Sequence, residues 1–79
     1  MSPRRSMALS DVPVGKQVRI TQVSSHPEIS RRLRELGLCE DAMIRCMAKS
    51  HGNLVCQVFE SRIGITLHIA AGITVAAVD

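Results

Sequence analysis

The chain has 79 residues, which is the length of one small domain. Its composition, 46% apolar and 22% charged, excludes a disordered chain, and its net charge is +3. The longest apolar run, residues 69–78, is too short to span a bilayer, which needs about 20 residues. No apolar stretch of the kind that a signal peptide requires follows the first charged residues. The sequence therefore predicts a cytoplasmic protein without membrane insertion.

Three cysteines stand at positions 39, 46 and 56. An odd number with gaps of this size, and no CxxC pair, does not match the disulfide framework of a small secreted protein. Reduced thiols in a cytosolic protein fit better.

The first seven residues, MSPRRSM, combine Pro and Ser with two Arg and show no apolar periodicity. We expect a flexible basic tail over residues 1–7 and a single domain over residues 8–79. Turn-forming residues then lead into a first strand from about Lys16 to Val23, along which apolar and polar side chains alternate.

The segment SSHPEISRRLRELG, residues 24–37, carries the only strong helix signal, and it predicts a helix at about residues 26–37. Ser25 and Glu28 have the spacing of a capping box. Pro27 suits the first turn, where its missing N–H costs nothing.

Three apolar residues of this helix, Ile29, Leu33 and Leu36, recur at the spacing of one helical stripe. We expect this stripe to face the core. Gly37 is placed where a left-handed residue would end the helix, and Leu38 can then fold back on Leu33.

The remaining sequence is typical of β-structure. The predicted strands are residues 42–48, 54–59, 64–67 and 73–78, with turns at 49–53 and about 60–64 and a short connector before the last strand. Five short strands and one helix predict a small, bent antiparallel barrel. The last strand, ITVAAV, carries no charge to protect it, so we expect an edge or closing strand with weak self-association as a homo-oligomer.

Three segments in this order, LSDVPVGKQVRI, ISRRLRELGL and ITLHIAAGITV, resemble the FeoA family, and the resemblance runs from about Ala8 to Val78. The family consists of small cytosolic proteins encoded beside the FeoB-type ferrous iron transporter of bacteria. The resemblance implies an SH3-like barrel with a helix inserted after the first strand. The same type of domain ends some iron-dependent repressors, so the domain alone does not decide the role.

Two positions depart from the family pattern. The turn after Leu38 is Cys39-Glu40-Asp41, where the family usually has Pro-Gly or another residue before Gly. Asp tolerates a positive φ better than most residues but at a cost, so a different turn is expected. Gly72 stands where the family usually has Ala.

The partner implied by the resemblance is the cytosolic GTP-binding domain of the FeoB-type ferrous iron transporter. Because the apolar stripe is assigned to the core, the candidate contact is the outer helix face and the loop that follows it. The predicted partner-binding residues are Arg31, Arg34, Glu35, Cys39, Glu40 and Asp41. The alternative is that these charges only keep the helix soluble.

The sequence gives little support for a metal site or a catalytic site. Cys46 and Cys56 alternate with core residues and are expected to act as small hydrophobes, while Cys39 is in a loop. No four ligands have the spacing of a closed zinc site, so neither a cofactor nor a tight metal site is predicted, although weak transition-metal contacts at His or Cys39 are compatible with the sequence. Nothing resembles a nucleophile with its base, or a phosphate-binding loop, which indicates a protein that is not an enzyme.

A basic helix on a small barrel also fits a weak nucleic-acid-binding protein. Surfaces that bind single strands usually stack bases on aromatic side chains, and this chain has only Phe59. The arginines of the helix are partly balanced by Glu28 and Glu35. No nucleic acid partner is therefore expected, and a protein-binding module is favoured, with a metal-responsive regulatory module as the alternative.

Overall fold

The computed structural model describes residues 6–78, which form a mainly β domain. The strands are β1 (Ser6–Ala8), β2 (Gln17–Val23), β3 (Met43–Ser50), β4 (Asn53–Val58), β5 (Ser61–Thr66) and β6 (Ile73–Ala77). The helices are α1 (Pro27–Glu35) and α2 (Leu67–Ala70), and a 3-10 helix spans Leu9–Asp11. Neither α-helix in the described part of the chain is long and apolar enough to cross a membrane.

All six strands belong to one antiparallel sheet with the order β1-β6-β2-β3-β4-β5. The hairpins β3–β4 and β4–β5 are local, whereas β6 returns from the end of the chain to lie between β1 and β2. No ladder joins β1 to β5 among residues 6–78, so the sheet is open. The predicted mainly β fold with one main helix is confirmed, but the closed five-stranded barrel is wrong in strand number and in closure.

The extra strand is β1, which is too short to show alternation in the sequence. Its residues Ser6 and Met7 pair with β6, so the first strand begins two residues before the predicted domain boundary. The rest of the predicted tail, residues 1–5, lies outside the described residues.

The last strand, β6, has a neighbour on each side and is not an edge strand. The expectation of an unprotected edge at β6 is therefore wrong, while weak self-association stays a prediction. The free edges of the described sheet belong to β1 and β5.

Helix α1 begins one residue later than the predicted capping box requires. His26 is the N-cap, and its Nδ1 accepts a hydrogen bond from the backbone N–H of Glu28 at 3.4 Å. Ser25 instead uses its carbonyl to accept a hydrogen bond from the Ser30 hydroxyl at 3.3 Å. Pro27 was expected in the first turn, and because it takes the first position of that turn, the cap falls on the residue directly before it, and the Ser25–Glu28 capping box is wrong.

The core is filled mainly by one face of the strands. The alternation predicted for β2 and β4 is confirmed, since Val18 and Ile20, and likewise Leu54, Cys56 and Val58, are buried. The described core contains no polar or charged residue.

Strand β3 keeps the predicted alternation only up to Cys46. A register shift between Cys46 and Ala48 turns the following residues over, so Ala48 is exposed rather than in the core. Lys49 consequently points toward the 3-10 helix, where its Nζ donates a hydrogen bond to the carbonyl of Ser10 at 2.8 Å.

Candidate functional site

The predicted contact region begins at the end of α1, where Gly37 has a φ of +99°. The N–H of Gly37 donates to the carbonyl of Arg34 at 3.0 Å, and the N–H of Leu38 donates to the carbonyl of Leu33 at 2.8 Å. These two bonds form a Schellman motif, for which Gly supplies the left-handed residue at little steric cost. Leu33 and Leu38 are both buried, so the predicted helix stop is confirmed.

The loop after the stop is anchored to β2 by its backbone. The N–H of Ala42 donates to the carbonyl of Cys39 at 3.1 Å, and the N–H of Asp41 donates to the carbonyl of Ile20 at 2.7 Å. Asp41 has a φ of +73°, so the turn retains a left-handed residue although no Gly is present. The carboxylates of Glu40 and Asp41 are exposed on this anchored turn.

We call the six predicted residues the helix-end surface: Arg31, Arg34, Glu35, Cys39, Glu40 and Asp41. Five of them are exposed, and Cys39 is half-buried. Arg31 and Glu35 border a shallow depression on α1, whereas Asp41 borders a different one beside β3 and β4. The helix-end surface is therefore two charged areas connected through the helix stop, and not one pocket.

The depression beside Asp41 also contains Phe59, which sequence analysis did not assign to a site. Phe59 was predicted to end the third of the five strands, residues 54–59, but the corresponding strand β4 ends at Val58, and Phe59 begins the turn to β5. Its side chain is 86% exposed and its φ is +56°, a conformation that bulky residues rarely adopt. The sequence has no Gly or Asn at this turn that would indicate where the strand ends. The alternation of apolar and polar residues along β4 therefore predicted a strand that was one residue too long.

Replacing Phe59 with Gly is expected to stabilise the protein by about 0.5–1 kcal/mol. Left-handed backbone costs an L-residue about 1–2 kcal/mol, and the greater freedom of Gly in the unfolded chain offsets part of the gain. Urea unfolding would measure the change. Phe59→Ala retains a Cβ at the positive φ and is the matched control, expected within about 0.5 kcal/mol of the wild type. A loss of stability in Phe59→Gly would contradict the assignment of strain to this position.

The apolar stripe of α1 is only partly in the core. Leu33 is buried, but Ile29 is 38% and Leu36 is 47% exposed, so the prediction that the whole stripe lies inside is wrong. The two exposed side chains border a groove of about 400 Å³ between α1 on one side and β5 and α2 on the other. We call it the α1–β5 groove; its lining residues are Ile29, Arg32, Leu33, Leu36, Asn53, Gly64, Ile65, Thr66 and Ile69.

Two cysteines face each other in the core, since Cys46 in β3 is paired with Cys56 in β4 and both are fully buried. The prediction that they fill core positions is confirmed. Burial raises the pKa of Cys56 to about 11, and the neighbouring Cys46 adds to this rise. Burial also raises the pKa of Cys46. Both thiols are therefore protonated near neutral pH and poorly suited to bind metal.

The other histidine and cysteine side chains of the described residues do not assemble into a group of three, although His26 and His68 border one depression. His26 caps α1, and His51 lies exposed in the turn between β3 and β4, where it and Gly52 both have positive φ values. Cys39 directs its Sγ toward the carbonyl of Gly37 at 3.9 Å. Within residues 6–78 no three His, Cys, Asp or Glu side chains form a group that could hold a metal ion.

Comparison with protein families gives one match, in which the model of the FeoA domain covers residues 7–77. Among curated protein sequences, none matches the chain. The family match spans the sheet, both helices and the helix-end surface.

Solved structures share this fold. The solution structure of the FeoA protein from Chlorobium tepidum is 25% identical, with a TM-score of 0.84 over 92% of this chain and 71% of that protein. A crystal structure of an iron uptake regulatory protein, also FeoA, is 20% identical to this chain. Its TM-score is 0.84, and the match covers 94% of this chain and 99% of that protein. A manganese-dependent transcriptional repressor is 16% identical and has a TM-score of 0.87; it is matched over 99% of this chain but only 45% of its own length.

Proposed function

The chain belongs to the FeoA family, and we propose that it is a non-enzymatic, cytoplasmic accessory protein of bacterial ferrous iron transport. It acts by docking onto the cytosolic GTP-binding domain of an FeoB-type transporter. The observation that carries this proposal is the match to the FeoA domain over residues 7–77, supported by the similarity to the FeoA protein of Chlorobium tepidum. The helix-end surface provides the polar part of the contact.

The local geometry of the helix-end surface supports a docking role. The Schellman bonds at Gly37 and the bond from Asp41 to Ile20 hold the helix end and the loop in one arrangement before any partner arrives. A preorganised surface loses less conformational entropy on binding than a mobile one. Arg31 and Arg34 on the helix and the two carboxylates of the turn can pair with complementary charges, which favours orientation and rate of association.

The double substitution Arg31→Glu/Arg34→Glu is expected to weaken binding to the purified cytosolic domain of the transporter by about tenfold or more, because both charges are reversed at the contact. The fold should be retained, since exposed substitutions usually cost under about 0.5 kcal/mol each. Isothermal titration measures the affinity, and thermal unfolding checks the fold.

Lys16→Glu is the control. It makes once, at an exposed position of the loop before β2, the charge reversal that the double variant makes twice on α1. Its affinity should match that of the wild type. If the double variant also binds and supports iron uptake unchanged, the charged helix face serves solubility only. If the wild type never binds the transporter but shifts an RNA or DNA probe in a salt-dependent manner, a nucleic-acid function replaces the proposal.

A second candidate is a metal-responsive regulatory module, which the likeness to the manganese-dependent repressor favours. The two candidates differ in their response to metal. A regulatory module would gain thermal stability on addition of Mn²⁺ or Fe²⁺, because a ligand that binds the folded state stabilises it. The proposed transport accessory would show no such gain without the transporter.

A further inference from the structure

We propose that the α1–β5 groove binds an extended segment of a partner protein, apolar at alternate positions and acidic between them, which adds a strand to the free edge of β5. The groove shares no residue with the helix-end surface, and the inference does not require the partner to be the transporter. Three observations carry it: the position of the groove along a strand edge, the space at Gly64, and the charge around the groove.

The groove follows the edge of β5 rather than one of its faces. Successive side chains of a strand point to opposite faces, so a cavity on one face is lined by alternate residues. Here three consecutive residues, Gly64, Ile65 and Thr66, border the same cavity. One edge of β5 is paired with β4 along its whole length, and within residues 6–78 the opposite edge has no neighbouring strand. The cavity also reaches Asn53 of β4, which pairs with Thr66, so it extends around the end of β5.

An edge of this kind has backbone donors and acceptors without a ladder partner, which a further strand can satisfy. Gly64 lies in the middle of β5, and a Cβ built there would meet no atom within 4 Å. Packing inside the described chain therefore does not require Gly at this position. A Gly inside a strand often marks a place where another backbone approaches closely, and the open side of Gly64 provides that access.

The walls of the groove indicate which side chains the added strand carries. Ile29 and Leu36 are large apolar residues left exposed on α1, and they face a cavity that Ile65 and Ile69 border from the other side. Apolar side chains at alternate positions of an added strand would all point to this wall and remove it from water.

Charge favours an acidic partner over a second copy of this chain. Arg32 borders the groove, and Arg62 lies exposed on β5 two residues before Gly64. Acidic residues between the apolar positions point to the exposed face of β5 that carries Arg62 and can pair with it, whereas Arg32 borders the apolar wall and adds positive charge to the groove. Two copies meeting at this edge would instead bring four arginines together between chains that each carry a net charge of +3.

The test is a selection of random peptides of about 12 residues, displayed on ribosomes, against the full chain. We expect enriched sequences with apolar residues at alternate positions and acidic residues among them. Leu36→Glu should weaken the selected peptides by about tenfold or more, the effect of losing an apolar anchor at a contact centre. The matched control is Val14→Glu, which makes a similar change at a side chain that is 58% exposed outside the groove and should bind normally.

Arg32→Glu is a second variant, in case Leu36→Glu does not fold. It leaves the apolar wall of the groove intact and should remove the preference for acidic peptides. Strand addition is tested separately by N-methylating alternate residues of the best peptide in both frames. One frame should abolish binding and the other should not, because only alternate N–H groups of a strand face its neighbour.

Several outcomes would overturn the inference. They are a selection without enriched peptides, unchanged binding by both groove variants, and equal effects of the two N-methylation frames. Concentration-dependent dimerisation that Leu36→Glu abolishes would assign the groove to a second copy of the chain instead.

Discussion

Replacing Gly72 with Ala is expected to destabilise the protein by about 2–3 kcal/mol, the upper part of the range for an overpacked site. A methyl group at Gly72 would run into the backbone oxygen of Ser24. The two segments cannot easily separate, because the N–H of Ser24 donates to the carbonyl of Gly72 at 2.7 Å and the adjacent Val23 and Ile73 are paired between β2 and β6. A domain of this size is stable by only about 4–12 kcal/mol, so the loss is a large fraction.

Gly64→Ala is the matched control, because the added methyl group meets no atom within 4 Å. It should leave the free energy of unfolding unchanged or raise it by up to about 1 kcal/mol, since Ala restricts the unfolded chain. Thermal unfolding separates the two variants: Gly72→Ala should lower the melting temperature by roughly 10–20 °C. Equal melting temperatures for Gly72→Ala and the wild type would show that the backbone at Ser24 moves aside without cost.

The position of Gly72 also illustrates what a family pattern omits. The resemblance placed Gly72 where the family usually has Ala, and the pattern offered no reason for the difference. The reason is non-local, since the carbonyl of Ser24 is 48 positions earlier in the chain and reaches Gly72 only through the pairing of β2 with β6.

Features decided by local backbone chemistry could be predicted from the sequence. The helix stop at Gly37 and Leu38 needs only a residue that adopts positive φ followed by an apolar residue, and the structure has both Schellman bonds. The alternation of β2 and β4 likewise identified their buried faces. These signals lie within a few residues of one another.

The exposed groove could not be predicted, because helical periodicity shows which face is apolar but not what covers it. Ile29 and Leu36 have the spacing of a core stripe. The small core is nevertheless filled by the strands together with Leu9, Val12, Leu38 and Ala70, and Leu33 is the one buried residue of α1. Because the stripe was assigned to the core, the most apolar surface of the helix was not considered as a contact for a partner. The predicted contact was therefore confined to charged residues.

Two other failures share a cause, since a strand pattern does not reveal where pairing is interrupted. The register shift after Cys46 reverses the faces of β3, and the turn at Phe59 ends β4 one residue early. Neither place carries Gly, Pro or Asn as a warning in the sequence. Phe59, the most exposed large apolar residue in the described chain, was consequently placed inside a strand.

Raising the pH from 9 to 11 is expected to lower the free energy of unfolding by about 2 kcal/mol through Cys56 alone, because two pKa units correspond to about 2.7 kcal/mol over the whole titration and most of it falls between these two pH values. The pKa of this thiol is raised from 9.0 to about 11 in the folded protein, first by burial and then by Cys46. Between these two values the unfolded chain loses its thiol proton while the folded protein keeps it. Deprotonation therefore favours unfolding, so this contribution to stability is complete below pH 9 and is lost as the pH rises through 11.

Urea unfolding under reducing conditions at several pH values, compared between the wild type and Cys56→Ala, isolates this contribution from other groups that titrate in the same range. Cys56→Ala will be less stable at pH 8 because a cavity remains, but its stability should decline less between pH 9 and 11. Cys39→Ala is the matched control, since it removes the half-buried loop thiol and leaves the core pair in place. The burial of Cys46 raises its pKa as well, so the double variant Cys46→Ala/Cys56→Ala should decline least. Parallel declines in the wild type and Cys56→Ala would mean that Cys56 ionises in the folded state without penalty, and that the β3–β4 hairpin opens to water before the domain unfolds.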